Sequence, residues 1–376
     1  MHKTIQFLTL RTFSATGGIE KVCKVVCRAL TDIVKQTGDT DLSVLSMYDQ
    51  PAERDDKYIE ASSFTGFAEK KIRFVISAIQ QGRKKDLVIL SHINLLSIGF
   101  FIKCLSPKTR LVLFAHGIEV WGPLSAVKKR MLKSCDQLLA VSQFTKDKMM
   151  QEYGIADKNI TVLNNCIDPY LPALASKEKD AGLQKKYGLI KDDLVLMTLS
   201  RLSSKELYKG YDHVLFSLHA LSEKYPGLKY LVVGRYDVQE KQRLDRIIRQ
   251  YTLQERVVFT GYIPDEALAA HYGLADVYVM PSKKEGFGIV FIEAMHYGLP
   301  VIAGNRDGSA DALCNGRLGI LVDPDDQRAL NDAIENVILH KEKYIPDQEL
   351  LNRQFSFSAY KSKLQQAINK GLMENS

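Results

Sequence analysis

The sequence has one tryptophan, 11 prolines and six cysteines in 376 residues, and the cysteines form no metal or redox pattern. They stand at 23, 27, 104, 135, 166 and 314, without a C-x-x-C pair. That spacing argues against a zinc module or a dithiol centre and reads as reduced thiols of a cytoplasmic protein. Cys23 and Cys27 share one face of an expected helix, as core residues do. No window reaches the roughly 18 unbroken apolar residues of a membrane span. The apolar run at the start is too short for a signal peptide. The chain also lacks a G-x-G-x-x-G followed by an acidic strand end, which disfavours a nicotinamide-dependent dehydrogenase.

What is present is globular in proportion, with 45% hydrophobic and 25% charged residues,. The length suits two domains better than a single core. The net charge of +7 is unevenly placed. Residues 1–175 carry 24 Lys and Arg against 17 Asp and Glu, while residues 176–376 carry 27 of each. An excess confined to one half suits an anionic acceptor or membrane surface, and argues against nucleic acid as a partner.

Short β-branched runs alternate with helix-period segments twice over. In the first half residues 4–10, 42–47, 86–91, 110–116, 137–142 and 160–165 read as strands buried on both faces,. In the second half residues 194–200, 228–234, 256–261, 276–282, 300–304 and 318–323 repeat the pattern. The expected fold is α/β, two Rossmann-like doubly wound domains facing a central cleft. The first spans 1–172. A linker with a short helix covers 173–190, a second domain covers 191–355, and a C-terminal helix over 356–376 packs back on the first domain.

The loops after these strands hold the candidate residues. Gly17 and Gly18 open the first long helix, where bare amides can meet a phosphate or sugar; a tight strand-to-helix turn is the plain alternative. His116 ends the strand at 110–115, placed either to bond a hydroxyl or to cap structure. Arg201 and Lys209 flank the loop 200–210, either as a fork and a point charge for a diphosphate or as solvated cations. In the stretch 285–294, EGFGIVFIEA, Gly286 and Gly288 let the backbone approach a ligand ahead of a helix starting near 288. Glu285 precedes that helix and could be only a helix-end acid. Glu293 lies inside it between apolar residues, and a carboxylate buried there needs partners. The Asp-x-Asp pairs at 39–41 and 323–325 read as turns, and no metal site is expected.

With these pieces in place, the chain resembles the retaining glycosyltransferases of family 4, which have the GT-B fold. The resemblance covers nearly the full length and is strongest from Arg201 to Asp325. Its signature is a glutamate, seven residues and a second glutamate, here EGFGIVFIE at 285–293. The resemblance implies that Glu285 contacts donor-sugar hydroxyls and Glu293 the ribose. It makes Arg201 and Lys209 the diphosphate-holding pair, assisted by the amides of Phe287, Gly288 and Ile289. Gly18 lies near the phosphates, His116 near the anomeric centre, and Tyr262 with Ile263 lines the base. No cofactor is implied beyond the nucleotide-diphosphate sugar as co-substrate, and no metal.

Two departures stand out: Asp311 where a longer acid is usual, and a longer Arg201-to-Lys209 spacing through SSKELYKG. These features look most like bacterial mannosyltransferases of exopolysaccharide assembly, which points to GDP-mannose as donor. The acceptor would be a saccharide or a polyprenyl-diphosphate-linked saccharide. UDP-sugar transfer and a non-catalytic sugar-nucleotide-binding subunit remain the alternatives. The basic segments 68–86 and 125–134 are then expected to dock the acceptor domain peripherally on an anionic cytoplasmic membrane face.

Overall fold

The computed structural model describes residues 2–176 and 178–373. Lys177 of the expected linker and residues 374–376 of the expected C-terminal segment lie outside the described residues, as does Met1. The chain forms two compact units, residues 1–170 with 354–376, and residues 171–353.

The first unit is built on a seven-stranded parallel sheet. Its strands are β1 (Lys3–Thr9), β2 (Thr40–Ser46), β3 (Phe64–Gly66), β4 (Leu87–Leu90), β5 (Arg110–Ala115), β6 (Gln137–Ala140) and β7 (Ile160–Val162), in the order β3-β2-β1-β4-β5-β6-β7. The central strands β4, β5 and β6 are buried along their whole length, which is why they read as unbroken apolar runs,. The helices α1 (Gly18–Thr37), α2 (Lys71–Gly82), α3 (Leu96–Leu105), α4 (Ala126–Lys133) and α5 (Gln143–Tyr153) cover the two faces. Crossovers from β1 to β2 and from β3 onward run in opposite directions along the sheet. Right-handed connection therefore puts α1 on one face and α2, α3 and α4 together on the other. Phe74 and Ala78 of α2, Ile98 and Ile102 of α3 and Leu132 of α4 share one buried cluster on that face.

The second unit carries a six-stranded parallel sheet of β8 (Leu194–Leu199), β9 (Leu228–Val233), β10 (Val257–Gly261), β11 (Val277–Met280), β12 (Val301–Gly304) and β13 (Ile320–Val322), ordered β10-β9-β8-β11-β12-β13. Its helices are α6 (Ala181–Tyr187), α7 (Tyr211–Leu221), α8 (Val238–Gln250), α9 (Asp265–Tyr272), α10 (Ile289–His296), α11 (Ser309–Ala312) and α12 (Gln327–Leu339). The segment expected to be a linker carries α6 and belongs to this unit. Lys179 holds it there, donating to Asp276 at 2.6 Å and to the Asp193 carbonyl at 2.8 Å. After α13 (Gln348–Phe355) the chain returns to the first unit, where α14 (Phe357–Met373) packs on α1. The Ile167 amide donates to the Phe355 carbonyl at 2.9 Å and ties that return in place.

Twelve strands correspond to the runs read from sequence. The thirteenth, β3, does not, because three residues flanked by a short 3-10 turn carry no periodicity.

Phe74 anchors α2 with no exposed surface and an edge-on contact to Phe67 at 5.4 Å. Phe74→Ala is expected to cost about 3–5 kcal/mol. Urea unfolding of the variant should show a lower midpoint with an unchanged slope.

Candidate functional site

Each sheet reverses its strand order once, between β1 and β4 and between β8 and β11. At such a reversal the loops depart in opposite directions and open a crevice beyond the strand ends. Most of the residues picked out from sequence leave the sheet beside these two places.

In the second unit the loop after β8 holds Arg201, and a 3-10 turn at Leu207–Lys209 delivers Lys209. The Arg201 side chain is largely exposed, and its guanidinium forks onto Glu206. Glu206 lies in the SSKELYKG stretch that lengthens this loop, and sequence reasoning did not single it out. Lys209 meets Glu285, which arrives from the loop after β11, and both side chains are more than four-fifths buried. Burial works against the lysine charge, but the Glu285 carboxylate more than offsets it and holds the Lys209 pKa above its ordinary value. Both expected diphosphate cations thus carry a carboxylate partner.

The Glu285 loop is fastened by a residue missed in the sequence. Asp307, buried in the loop after β12, accepts the Glu285 amide hydrogen at 2.6 Å and the Ser309 amide hydrogen at 2.9 Å. The Gly308 amide closes the contact by donating to the Glu285 carbonyl at 2.8 Å. Position 308 must be glycine for this approach, since a Cβ there would lie 2.0 Å from the Gly286 carbonyl oxygen,. Burial is the main cause that pushes the Asp307 pKa up to about 6, partly countered by its bonds to Ser309 and Glu285. The acid noted from sequence was Asp311, four residues on, which lies in α11.

Gly288 caps α10 with φ of 85°, a left-handed turn that a side chain would strain,. The helix begins at Ile289, so the amides of Phe287, Gly288 and Ile289 lie at its amino end. The Phe287 side chain is buried. Glu293, inside α10, is 1% exposed and accepts the Tyr272 hydroxyl hydrogen at 3.1 Å. Its charge and that of Glu285 both act on Tyr278 of β11, whose pKa is raised first by burial and then by the two carboxylates. The two glutamates are therefore held by different partners. At the far side of the sheet Tyr262 and Ile263 follow β10, and the Arg235 guanidinium stacks 4.3 Å over the Tyr262 ring. Of the two Asp-x-Asp stretches, Asp323 and Asp325 grip Arg306, and Asp325 also takes Lys283. No cluster of metal-ligating side chains occurs among the described residues.

In the first unit the loop after β1 is organised by Asp49. Its buried carboxylate accepts the amide hydrogens of Thr12 at 2.8 Å, Phe13 at 3.2 Å and Ser14 at 3.0 Å, and the Ser46 hydroxyl at 2.7 Å. This anchor sets the path toward Gly17, the N-cap of α1, and Gly18, its first residue. His116 follows β5. Its Nε2 donates to the Ser91 carbonyl at 2.7 Å, and its amide donates to Glu119 at 2.6 Å. A carbonyl only accepts, so Nε2 carries a proton, and Nδ1 is the ring nitrogen that this bond leaves unused. The ring lies nearly parallel to Phe114 with centroids 6.0 Å apart. His92, after β4, stands close enough to interact with it. Burial lowers the His92 pKa, His116 and Lys128 lower it further, and Glu119 opposes them.

The Asp307 anchor has a pH signature. Its folded pKa of about 6 is above that of an unfolded aspartate, so the stability it contributes is present at low pH and is lost as pH rises through that value,. Asp307→Asn removes the titration. The stability of the native chain relative to the variant should therefore fall by on the order of 2–3 kcal/mol between pH 4 and 7. Chemical denaturation of both proteins across that range measures the difference.

The family model described as "Glycosyltransferase Family 4" matches residues 16–170, and "Glycosyl transferases group 1" matches residues 181–348. The chain is 31% identical over 242 residues to the GDP-mannose-dependent alpha-(1-6)-phosphatidylinositol monomannoside mannosyltransferase of Mycolicibacterium smegmatis, a match covering 61% of each protein. It is 28% identical to mannosylfructose-phosphate synthase of Agrobacterium fabrum, over 56% of this chain and 47% of that one. The match thus spans between about half and three fifths of these relatives' length. Among solved structures, Anabaena HepE in complex with UDP and glucose has a TM-score of 0.77 at 21% identity, covering 98% of this chain and 100% of HepE. Sucrose-phosphate synthase of Thermosynechococcus elongatus also has a TM-score of 0.77, at 19% identity with full coverage of both chains. Two models that together account for residues 16–170 and 181–348, with a fold shared over nearly the whole length, lead to one conclusion: this chain belongs to the family 4 glycosyltransferases of the GT-B fold.

Proposed function

We propose that the chain is a retaining glycosyltransferase that moves a hexose from a nucleotide-diphosphate sugar, best read as mannose from GDP-mannose, to a saccharide or polyprenyl-diphosphate-linked saccharide of cell-surface polysaccharide assembly. The observation that carries this reading is the meeting of Lys209 and Glu285 beside the amino end of α10, at the strand-order reversal of the second sheet. A departing nucleoside diphosphate develops charge on its phosphate oxygens. The buried Lys209, the more exposed Arg201 and the amides at 287–289 offset that charge without calling on a metal,. On arrival the diphosphate replaces carboxylate partners: Glu206 gives up Arg201, and Glu285 turns part of its acceptor capacity to the donor-sugar hydroxyls.

In this mechanism the bond between the anomeric carbon and the phosphate oxygen breaks, with its electron pair leaving on the diphosphate. The acceptor hydroxyl attacks from the same face, and its proton passes to the departing phosphate oxygen. His116, with its proton held on Nε2 by Ser91, offers Nδ1 to a sugar hydroxyl,. Glu293 grips the ribose, and Tyr262 with Ile263 lines the base, where the Arg235 guanidinium stiffens the Tyr262 ring. Gly17 and Gly18 bring backbone amides to the phosphates. The mannose reading is supported by relatives that include a GDP-mannose-dependent mannosyltransferase and mannosylfructose-phosphate synthase. A UDP-sugar is the second reading, favoured by the UDP complex of HepE.

Two measurements test this. A ligand that binds only the folded protein stabilises it by about 2.7 kcal/mol at one hundred times its Kd. GDP is therefore expected to raise Tm more than UDP at equal concentration, and the reverse order would move the donor to a UDP-sugar. With GDP-mannose and a lipid-linked acceptor, Lys209→Met and Glu285→Gln should each lower kcat/KM by roughly 10²–10³-fold. Rates like the native enzyme in both would remove the site assignment.

A further inference from the structure

The loop between β8 and α7 is fixed in place at both ends. Near its start the Leu202 amide donates to the Arg235 carbonyl at 2.8 Å, and the Ser204 amide donates to the Asp237 carboxylate at 2.9 Å. Near its end the Lys283 amide donates to the Tyr208 carbonyl at 2.9 Å, and Gly210 turns with φ of 75° beside Pro281. Between these anchors Glu206 belongs to the turn itself. Its amide donates to the Ser203 carbonyl at 2.8 Å, and its carbonyl accepts the Lys209 amide hydrogen at 3.1 Å. The backbone that delivers Lys209 therefore also fixes the position of Glu206.

The Glu206 side chain is 17% exposed, against 70% for Arg201. The carboxylate is the enclosed partner, and the guanidinium on the solvent side comes to it. Nε of Arg201 donates to one carboxylate oxygen at 3.3 Å and Nη2 donates to the other. That two-point fork is the arrangement a guanidinium also makes with a phosphate. Glu206 acts on the second cation as well. Burial works against the Lys209 charge, Glu285 is the main group that supports it, and Tyr208 and Glu206 add to that support. One carboxylate thus acts on both cations assigned to the diphosphate. Glu285, the other acid here, has a use at the donor sugar in the proposed mechanism, whereas no step of that mechanism uses Glu206.

We propose that Glu206 is an internal competitor for the diphosphate. It holds the Arg201 fork between turnovers, gives it up to the donor, and recaptures it as the nucleoside diphosphate product leaves. This deepens the proposed function and rests on it. Contacts that hold donor and product equally tightly lower KM without raising kcat, and a product held too well limits turnover by its release. An anion tethered five residues from Arg201 opposes both outcomes, because a diphosphate must replace a carboxylate as well as water at the guanidinium,. No covalent bond forms or breaks in the exchange.

Isothermal titration of the full chain with GDP and with UDP, followed by stopped-flow dissociation, tests this. Glu206→Gln keeps the size of the side chain and removes its charge. It should bind the nucleotide that the native chain prefers about fivefold tighter, with most of the gain in slower dissociation. Glu206→Ala, which removes the fork altogether, should shift affinity in the same direction. A loop merely damaged by substitution would weaken binding, so the sign of the change separates competition from structural support. Affinity unchanged or lowered in both variants overturns the proposal. A native chain that binds neither nucleotide fails at the proposed function itself and takes this inference with it. Native binding without tightening in the variants removes the inference and leaves that function standing.

Discussion

Lys209 and Glu285 come from loops 76 residues apart in the chain and meet where little water reaches them, each more than four-fifths buried. A lone ammonium or carboxylate in such a place costs several kcal/mol, so each depends on the other. Their meeting requires that β8 and β11 lie side by side, which happens only because the sheet reverses its strand order there. It also requires that the Glu285 loop be held still, and Asp307 with the glycine at 308 does this through the backbone. Both cations of this site are thus held by carboxylates. Under the proposed function an arriving diphosphate therefore competes with carboxylates rather than with water alone.

The same logic appears in the first unit with a carboxylate as the central group. Asp49 gathers donors from β2 and the loop after β1, and so sets the path to Gly17 and Gly18 at the start of α1. His116 has its tautomer set by a backbone carbonyl rather than by an acid, which keeps one ring nitrogen available,. In both units the residues that touch no expected ligand decide the posture of those that would.

Much of the architecture was legible in the sequence. Strands buried on both faces must be apolar throughout, and segments such as 87–90 and 277–280 show that directly,. The short β3 was not legible, because pairing to β2 makes it a strand and three residues carry no pattern. The segment 173–190 read as a linker because it lacks a strand signal, yet Lys179 and α6 attach it to the second unit through partners nearly a hundred residues away. At the site, residues with a distinctive local setting were found: glycines at helix starts, a histidine at a strand tip, a glutamate inside an apolar helix. Glu206, Asp307, Arg235, Asp49 and His92 were missed, because an acid, an arginine or a histidine in a loop looks alike whether it faces water or closes a network.

The sequence by itself determined the class of fold, the two-domain order, the family and the candidate residues of the site. These follow from local periodicity and from short motifs whose chemistry is carried by neighbours in the chain. Tertiary structure alone decided which charges are paired and which helices share a face of the first sheet. It decided them because ion pairs such as Arg201 with Glu206 and Lys209 with Glu285 depend on loop paths. The helices α2, α3 and α4 share a face only because right-handed crossovers put them on the same side of one sheet,.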